Sequence, residues 1–337
     1  MARPRRKQIL FTKATQFDEK YEGPYIRHLR AQRKSINTIL DYHNTFNHFR
    51  RVMADKNLRD YTIGDITEFL AIMAGEEMEL NGIAPRPKKR REPKTIFNFK
   101  VALSSLWTWA TDNSYADDHI VRAIPNPKVH QKPIEPLEDA EVAALIRATY
   151  ETRPWRNNPL TTTRRATGER DKALVMLLAD TAARISEAVD LRLEDVALSP
   201  RGGKIHIIDG KNNKDRWVDF GRRTAQVMQD WLDVHEQIAP DSPWLFISLR
   251  GRYTGIKCNP QPIGKMIKRL GKKAGIQRVV TPHLLRTTAA CTLAEHVSVW
   301  KLMQILGHSN VETTYRYVRA ARLKKEVTTS PMDNLRL

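Results

Sequence analysis

Residues 281–317 read TPHLLRTTAACTLAEHVSVWKLMQILGHSNVETTYRY. Thr281 followed by Pro282 is a helix cap followed by the residue best suited to the first helical position, where the missing proline N–H costs nothing. His283 and Arg286 then stand three apart and share a face of the first turn. A cation is disfavoured beside the positive end of a helix dipole, so a basic residue there gains when an anion such as a phosphate occupies the site. Ser298 to Leu306 predicts a second, short helix stopped by Gly307 in the left-handed conformation, which puts His308 just after the turn. Ser309 and Glu312 have capping-box spacing for a third helix. Tyr315 and Tyr317 on that helix point in roughly opposite directions, so at most one of them faces His308.

Upstream, Arg184 in Thr181-Ala-Ala-Arg184-Ile-Ser-Glu187 falls at a helix start with Glu187 one turn on. Alone, such a pair is usually a surface ion pair. Lys204–Asp209 and Arg216–Phe220 read as short strands, and the turn Gly-Lys-Asn-Asn-Lys-Asp between them makes a hairpin. Helical segments are predicted over 138–148, 171–179, 223–238 and 263–275, with a polar, basic insertion at 153–170. The last of these helices buries Ile263, Met266, Ile267 and Leu270 and shows Lys265, Lys268, Arg269, Lys272 and Lys273, a basic face suited to a nucleic-acid groove. The class is mainly α with a small β-sheet in the second domain (α+β). Taken together, Arg184, His283, Arg286, His308 and a tyrosine nine residues later supply two guanidinium clamps, two imidazoles and a phenol nucleophile. Those are parts for metal-free phosphoryl transfer.

The N-terminal part has a different pattern. Residues 1–20 read as a basic tail, and 21–124 as an all-helical domain. Ser35 caps a helix whose apolar positions Ile39, Tyr42, Phe46, Phe49 and Met53 step by three and four. Thr62 and Asp65 start another, buried through Ile66, Phe69, Leu70 and Met73 and ending near Gly75. The stretch APRPKKRREPK (84–94) is too proline-rich for a helix interior and predicts an exposed loop, with Lys88, Lys89, Arg90 and Arg91 available to a phosphate backbone. A further helix follows through Ile96, Phe99, Leu103, Leu106 and Trp107. Pro-bounded residues 125–136 form the linker, 137–325 the second domain and 326–337 a C-terminal tail.

Composition agrees with a polyanion partner. The 337 residues carry a formal net charge of +19. Residues 1–132 hold 24 basic and 15 acidic side chains and residues 133–337 hold 33 and 23, so both parts are basic. No apolar run approaches the length of a transmembrane helix, and the start MARPRRKQ lacks the apolar stretch of a signal peptide. The expected location is cytoplasmic and nucleoid-associated, with no membrane partner. Cys258 and Cys291, far apart and in no CxxC or Cys/His cluster, indicate neither zinc nor a disulfide.

The motif set resembles the tyrosine recombinases, the integrase family that includes the Xer proteins and Cre. The family's box around its first arginine is matched by TAARISEAVDL (181–191), its hairpin motif GKxNKxR by Gly210 to Arg216, its HxxR by His283 and Arg286, and LGHS with the distal tyrosine by Leu306–Ser309 and Tyr317. The match has motif strength over roughly 134–325, whereas the helical first domain resembles the family's core-binding (SAM-like) DNA-binding domain in pattern only. Two positions depart from the family: its usual Gly in the first box is Ala182 or Ala183 here, and Thr287 stands where His is common.

The resemblance implies a site-specific recombinase acting in integration, excision or dimer resolution, without cofactor, metal or ATP. It implies that Tyr317 attacks the scissile phosphate to leave a 3′-phosphotyrosyl link, with Tyr315 as a distant rival nucleophile. Arg184 and Arg286 would hold the non-bridging oxygens, and Lys211 would protonate the departing 5′ oxygen, with Lys214 as rival. His283 would assist proton transfer, His308 would donate to the phosphate, and Glu187 would orient its neighbours. Lys214 and Arg216 join the loop and helix cations as expected DNA contacts. The expected partners are a double-stranded recombination site clamped between the domains and three further copies in a tetramer on two sites, the C-terminal tail exchanged between protomers. Competing readings are a catalytically silent DNA-binding protein of the same fold and a tyrosine topoisomerase or telomere resolvase.

Overall fold

A computed structural model describes residues 17–75, 90–129, 133–150, 167–208 and 215–325. Lys88, Lys89, Lys211, Lys214, most of the 1–20 tail and of the 153–170 insertion, and the tail 326–337 lie outside the described residues. The chain divides into two compact units, residues 1–131 and 132–337.

The first unit is helical. A π-helical turn, Asp18–Glu22, leads into α1 (Gly23–Ala31), followed by α2 (Ile36–Val52), α3 (Ile63–Ala74) and α4 (Pro93–Asp112). The caps form where the side-chain chemistry places them. Ser35 Oγ accepts from the Thr38 amide at 3.1 Å, and Thr62 and Asp65 cap reciprocally at 3.1 and 2.7 Å. The stripe facing inward is strongly aromatic. Phe49 meets Phe69 edge-on at 5.0 Å between centroids and Trp107 at 6.3 Å, all three buried. Arg90 is exposed. Arg91 is instead folded back, donating Nη1 to the Met73 carbonyl at 3.0 Å, with its guanidinium 5.5 Å from the Phe99 ring centre. An orphan carbonyl at the end of α3 and an aromatic face beside it hold this side chain on its own unit.

The second unit is α+β. Its elements are α5 (Asp139–Ala148), α6 (Gly168–Thr181), α7 (Ile185–Asp190), β1 (Val196–Ser199), β2 (Gly202–Ile207), β3 (Arg216–Gly221), α8 (Arg222–Ile238), α9 (Pro260–Lys273), α10 (Pro282–Ala294), α11 (Val299–Leu306) and α12 (Val311–Lys325). The strands form an antiparallel sheet in the order β1-β2-β3, with Ile205 opposite Val218 and His206 opposite Trp217. Strand β1 extends the expected hairpin, and β2 starts at Gly202 and stops at Ile207 rather than running over 204–209. Helix α6 is buried on most of its sides because it packs against α5, α8, α10 and β3; Ala173, Leu174, Val175, Leu177 and Leu178 are fully buried. Asp180 at its end accepts from the Gly221 amide (2.9 Å) and Thr224 Oγ1 (2.7 Å), which fixes the β3–α8 junction to α6.

Helix α9 buries Ile263, Met266, Ile267 and Leu270 and leaves Lys265, Lys268, Arg269 and Lys272 exposed. Asn310, not Ser309, supplies the first cap contact of α12: its Oδ1 accepts from the Glu312 amide at 2.8 Å. The helix begins at Val311, so Asn310 occupies the capping position and Ser309 lies one residue too early.

Gly271 permits close approach of α9 to the chain ahead of α10. A Cβ there would lie 2.5 Å from Val280 Cγ2 and 2.7 Å from Val280 Cβ. Gly271→Ala gains about 1 kcal/mol of helix propensity but overpacks a stiff β-branched neighbour, a cost of about 1–3 kcal/mol. A net loss of stability is expected in urea unfolding; a variant as stable as wild type would show that the two segments separate freely.

Candidate active site

The site grows from two chain reversals and one helix face in the second unit. Helix α6 ends at Ala182, a non-glycine residue at φ 55°. Of the two alanines in the first box, it is therefore Ala182 that occupies a position suited to glycine. The turn aims its carbonyl at Arg286, whose Nη1 donates to it at 2.7 Å. Arg184 follows at the start of α7, where its backbone amide donates to Glu187 Oε2 (2.7 Å) and its Nη1 to Glu187 Oε1 (2.7 Å).

The second reversal is Gly307, at φ 62°, after α11. Here Arg286 Nη2 donates to the Leu306 carbonyl at 2.6 Å and Arg216 Nε to the Ile305 carbonyl at 2.8 Å. The last carbonyls of a helix have no intrahelical partner and carry its negative end, so two arginines seat there favourably. Arg216 Nη2 also donates to Glu187 Oε2 at 2.8 Å, and Arg286 Nη1 lies 3.8 Å from the same oxygen. One carboxylate thus holds three guanidinium groups. Burial by itself would raise the Glu187 carboxyl, but the Arg184 amide hydrogen bond and the charges of Arg216 and Arg184 outweigh it and hold it below the ordinary range.

The third element is α12, whose inner face carries Thr314, Tyr317 and Ala321, all buried. Tyr317 is 7% exposed and Tyr315 51%, so they point apart and Tyr317 is the one beside His308. Their rings stack at 6.1 Å between centroids and 24° between planes. Arg286 Nη2 lies 3.3 Å from His308 Nε2, and Nδ1 lies 3.0 Å from Thr314 Oγ1. A guanidinium only donates, so Nε2 accepts and Nδ1 carries the proton that bonds Thr314. Burial first, then the charges of Arg286, Arg184 and Arg216, push the His308 pKa down to about 4, which leaves it neutral near pH 7. Burial and the charge of Arg184 likewise lower Arg286 to about 10, so it remains a cation.

Arg184, Glu187, Arg286, His308 and Tyr317 thus form one connected chain of contacts. His283 is exposed in the first turn of α10, on the helix that carries Arg286. Lys211 falls outside the described residues. Arg216, expected on DNA, is turned inward with its side chain 10% exposed, because the Glu187 carboxylate and the α11 carbonyl end are its partners. Thr314 stands three residues before Tyr317, and that spacing on a helix is the one signal in the sequence that sets it beside the tyrosine.

The phage integrase family matches residues 137–324, more than half of the chain, which carries the site just described. The chain belongs to this family of tyrosine recombinases. Among its relatives, the tyrosine recombinase XerD of Staphylococcus epidermidis is 30% identical over 241 residues, 70% of this chain and 75% of XerD. Solved structures that share the fold include the following two. XerH site-specific recombinase, bound to its palindromic difH substrate in a post-cleavage complex, has a TM-score of 0.68 at 19% identity and covers 90% of this chain and 82% of its own. A lambda integrase tetramer bound to a Holliday junction has a TM-score of 0.66 at 14% identity and covers 92% and 79%.

The lowered His308 pKa makes stability depend on pH. Between about 6.5 and about 4 the unfolded histidine binds a proton that the folded one refuses, so stability falls as pH drops through that window. Glu187, with its folded pKa depressed, adds a loss only further down. In urea unfolding at pH 7 and pH 5, wild type should lose more stability between the two than His308→Gln; equal losses would show that His308 titrates normally in the folded chain.

Proposed function

We propose that this protein is a site-specific DNA recombinase that cleaves and rejoins duplex DNA through a 3′-phosphotyrosyl intermediate, in integration, excision or dimer resolution. The observation that carries the reading is the contact chain Arg184–Glu187–Arg286–His308–Tyr317, which places a phenol beside an excess of fixed positive charge. In the proposed step Tyr317 Oη bonds to phosphorus and the P–O5′ bond breaks. The phenolic proton leaves with help from His283, and Lys211 protonates the departing 5′ oxygen. The bond energy is kept in the phosphotyrosyl link, so a 5′-hydroxyl from another strand can reverse the step without ATP.

Arg184, with its side chain 42% exposed, meets the phosphate from the open side, and Arg286 faces the same charge from within. Both are fixed before substrate arrives, so no reorganisation is needed as charge builds. Glu187 keeps the guanidinium groups in register. The substrate is duplex DNA of the nucleoid, and the working assembly is a tetramer on two sites; XerH with difH and the lambda integrase tetramer on a Holliday junction support both by analogy of fold. Residues 21–124 act as the core-binding domain and 137–325 as the catalytic domain. The exposed cations Arg90, Lys265, Lys268, Arg269 and Lys272 are the proposed phosphate contacts.

The nucleophile is tested by mixing the protein with fragmented genomic DNA, quenching in detergent and looking for covalent adducts in wild type, Tyr317→Phe and Tyr315→Phe. Adducts lost only in Tyr317→Phe are expected, and the attached DNA can be sequenced to find the site. Adducts that persist in Tyr317→Phe would exclude it as nucleophile. If none form on DNA that the protein binds, the silent-binder reading takes over.

Binding should be strongly salt-dependent. For about six phosphate contacts, affinity falls by about a thousandfold between 50 and 200 mM salt. Lys268→Ala with Arg269→Ala should lower the slope of log affinity against log salt by about two. An unchanged slope would remove α9 from the interface.

A further inference from the structure

Arg216 occupies an unusual place for a cation at the start of a strand. It is the first residue of β3, and Lys214, in the turn motif, stands two positions before it. Its neighbour Trp217 is exposed, yet the Arg216 guanidinium is buried. A cation meant only for a phosphate backbone gains nothing from burial, which removes its hydration. Arg216 Nη1 has no hydrogen-bond partner among the described residues, an added cost.

What the burial achieves is contact with three separate parts of the site. Nη2 holds Glu187, which holds Arg184 and faces Arg286. Nε holds the Ile305 carbonyl, next to the Leu306 carbonyl that seats Arg286. The guanidinium also underlies the α11–α12 turn: a Cβ on Gly307 would lie 3.0 Å from Arg216 Nη1 and 3.1 Å from its Cζ. Gly307 is thus required twice, for its φ of 62° and for this approach, and His308 is the next residue.

We propose that Arg216 is a positioning residue that ties strand β3 to the arginine–histidine cluster, so that the phosphate-binding groups keep one geometry. The proposal rests on the recombinase reading. It requires the planar fork of arginine, which spans a carboxylate and a carbonyl with two fixed donors; lysine brings the charge without the span. The charged and titratable groups around His308 are Arg286 from α10, Arg184 and Glu187 from the start of α7, Arg216 from β3 and Tyr317 from α12. Arg216 is one of the cations that hold His308 neutral.

The test compares Arg216→Ala, Arg216→Lys and Gly307→Ala with wild type on the duplex recovered from wild-type adducts. Three readouts are taken: DNA affinity, the rate of adduct formation on saturating DNA, and the His308 titration midpoint by NMR in the free protein. Expected for Arg216→Ala are near wild-type affinity, a rate about 10- to 100-fold lower, the scale of a small misplacement of reacting groups, and a raised His308 midpoint. Arg216→Lys should restore the midpoint but not the rate, because it returns charge and not geometry. A merely structural role would move thermal stability without separating midpoint from rate in this way. If Arg216→Ala fails to fold, Arg216→Lys and Gly307→Ala still decide the matter through their rates at saturating DNA. Wild-type rates in those variants, or a defect confined to affinity, would overturn the proposal alone. No adducts from wild-type protein would overturn the recombinase reading and this proposal with it.

Discussion

The Glu187 carboxylate is the point on which the site depends. Arg184 takes one of its oxygens at 2.7 Å, Arg216 takes the other at 2.8 Å, and Arg286 lies 3.8 Å from that same oxygen. At an effective dielectric constant of about 20, unit charges about 4 Å apart interact by about 4 kcal/mol, so one carboxylate can hold guanidinium groups that would otherwise repel one another. It cannot neutralise them. Three cations against one anion leave two positive charges in a partly buried space, and burial together with that excess lowers the pKa values of Arg286 and His308. A phosphodiester is the kind of group that relieves it.

The fold supplies what a carboxylate alone cannot, namely fixed negative dipole ends behind the arginines. Helices α6 and α11 end with their last carbonyls aimed at Arg286 and Arg216, and each end is turned by a residue in the left-handed region, Ala182 at φ 55° and Gly307 at φ 62°. For alanine that conformation costs about 1–2 kcal/mol. The methyl group is fully buried in the cluster of Ala289, Ala290 and Leu302, and this burial offsets part of the cost. The helices bring parts separated by a hundred residues to one carboxylate, and the small sheet delivers Arg216 from the side.

Much of this is legible in local chemistry. Ser35, Thr62 with Asp65, Thr281 before Pro282, and Ser298 are caps whose function needs only neighbouring amides, so sequence alone locates those helix starts. Tyr317 separates from Tyr315 by helical periodicity, and that too is local. What escapes is whatever depends on a distant partner. Strand β1 has four residues and becomes a strand by pairing with β2. Arg91 and Arg216 look like exposed cations in sequence, yet a carbonyl 18 residues away claims the first and one 89 residues away the second. Long basic side chains have enough reach that their direction is set by tertiary partners, and no periodicity reports it.

His308 shows how the same cluster bears on the proposed chemistry. With Nε2 accepting from Arg286 and Nδ1 donating to Thr314, the neutral ring has no proton to offer a phosphate at Nε2. The resemblance assigns it a donor role, which this protonation state does not permit. The conflict resolves if substrate changes the charge balance. The shift to about 4 arises from burial and from Arg286, Arg184 and Arg216, and a phosphate anion among those groups cancels the repulsive part of it. With that repulsion cancelled, the histidine binds a proton more readily. The depressed pKa thus depends on burial and on the uncompensated charges of Arg286, Arg184 and Arg216.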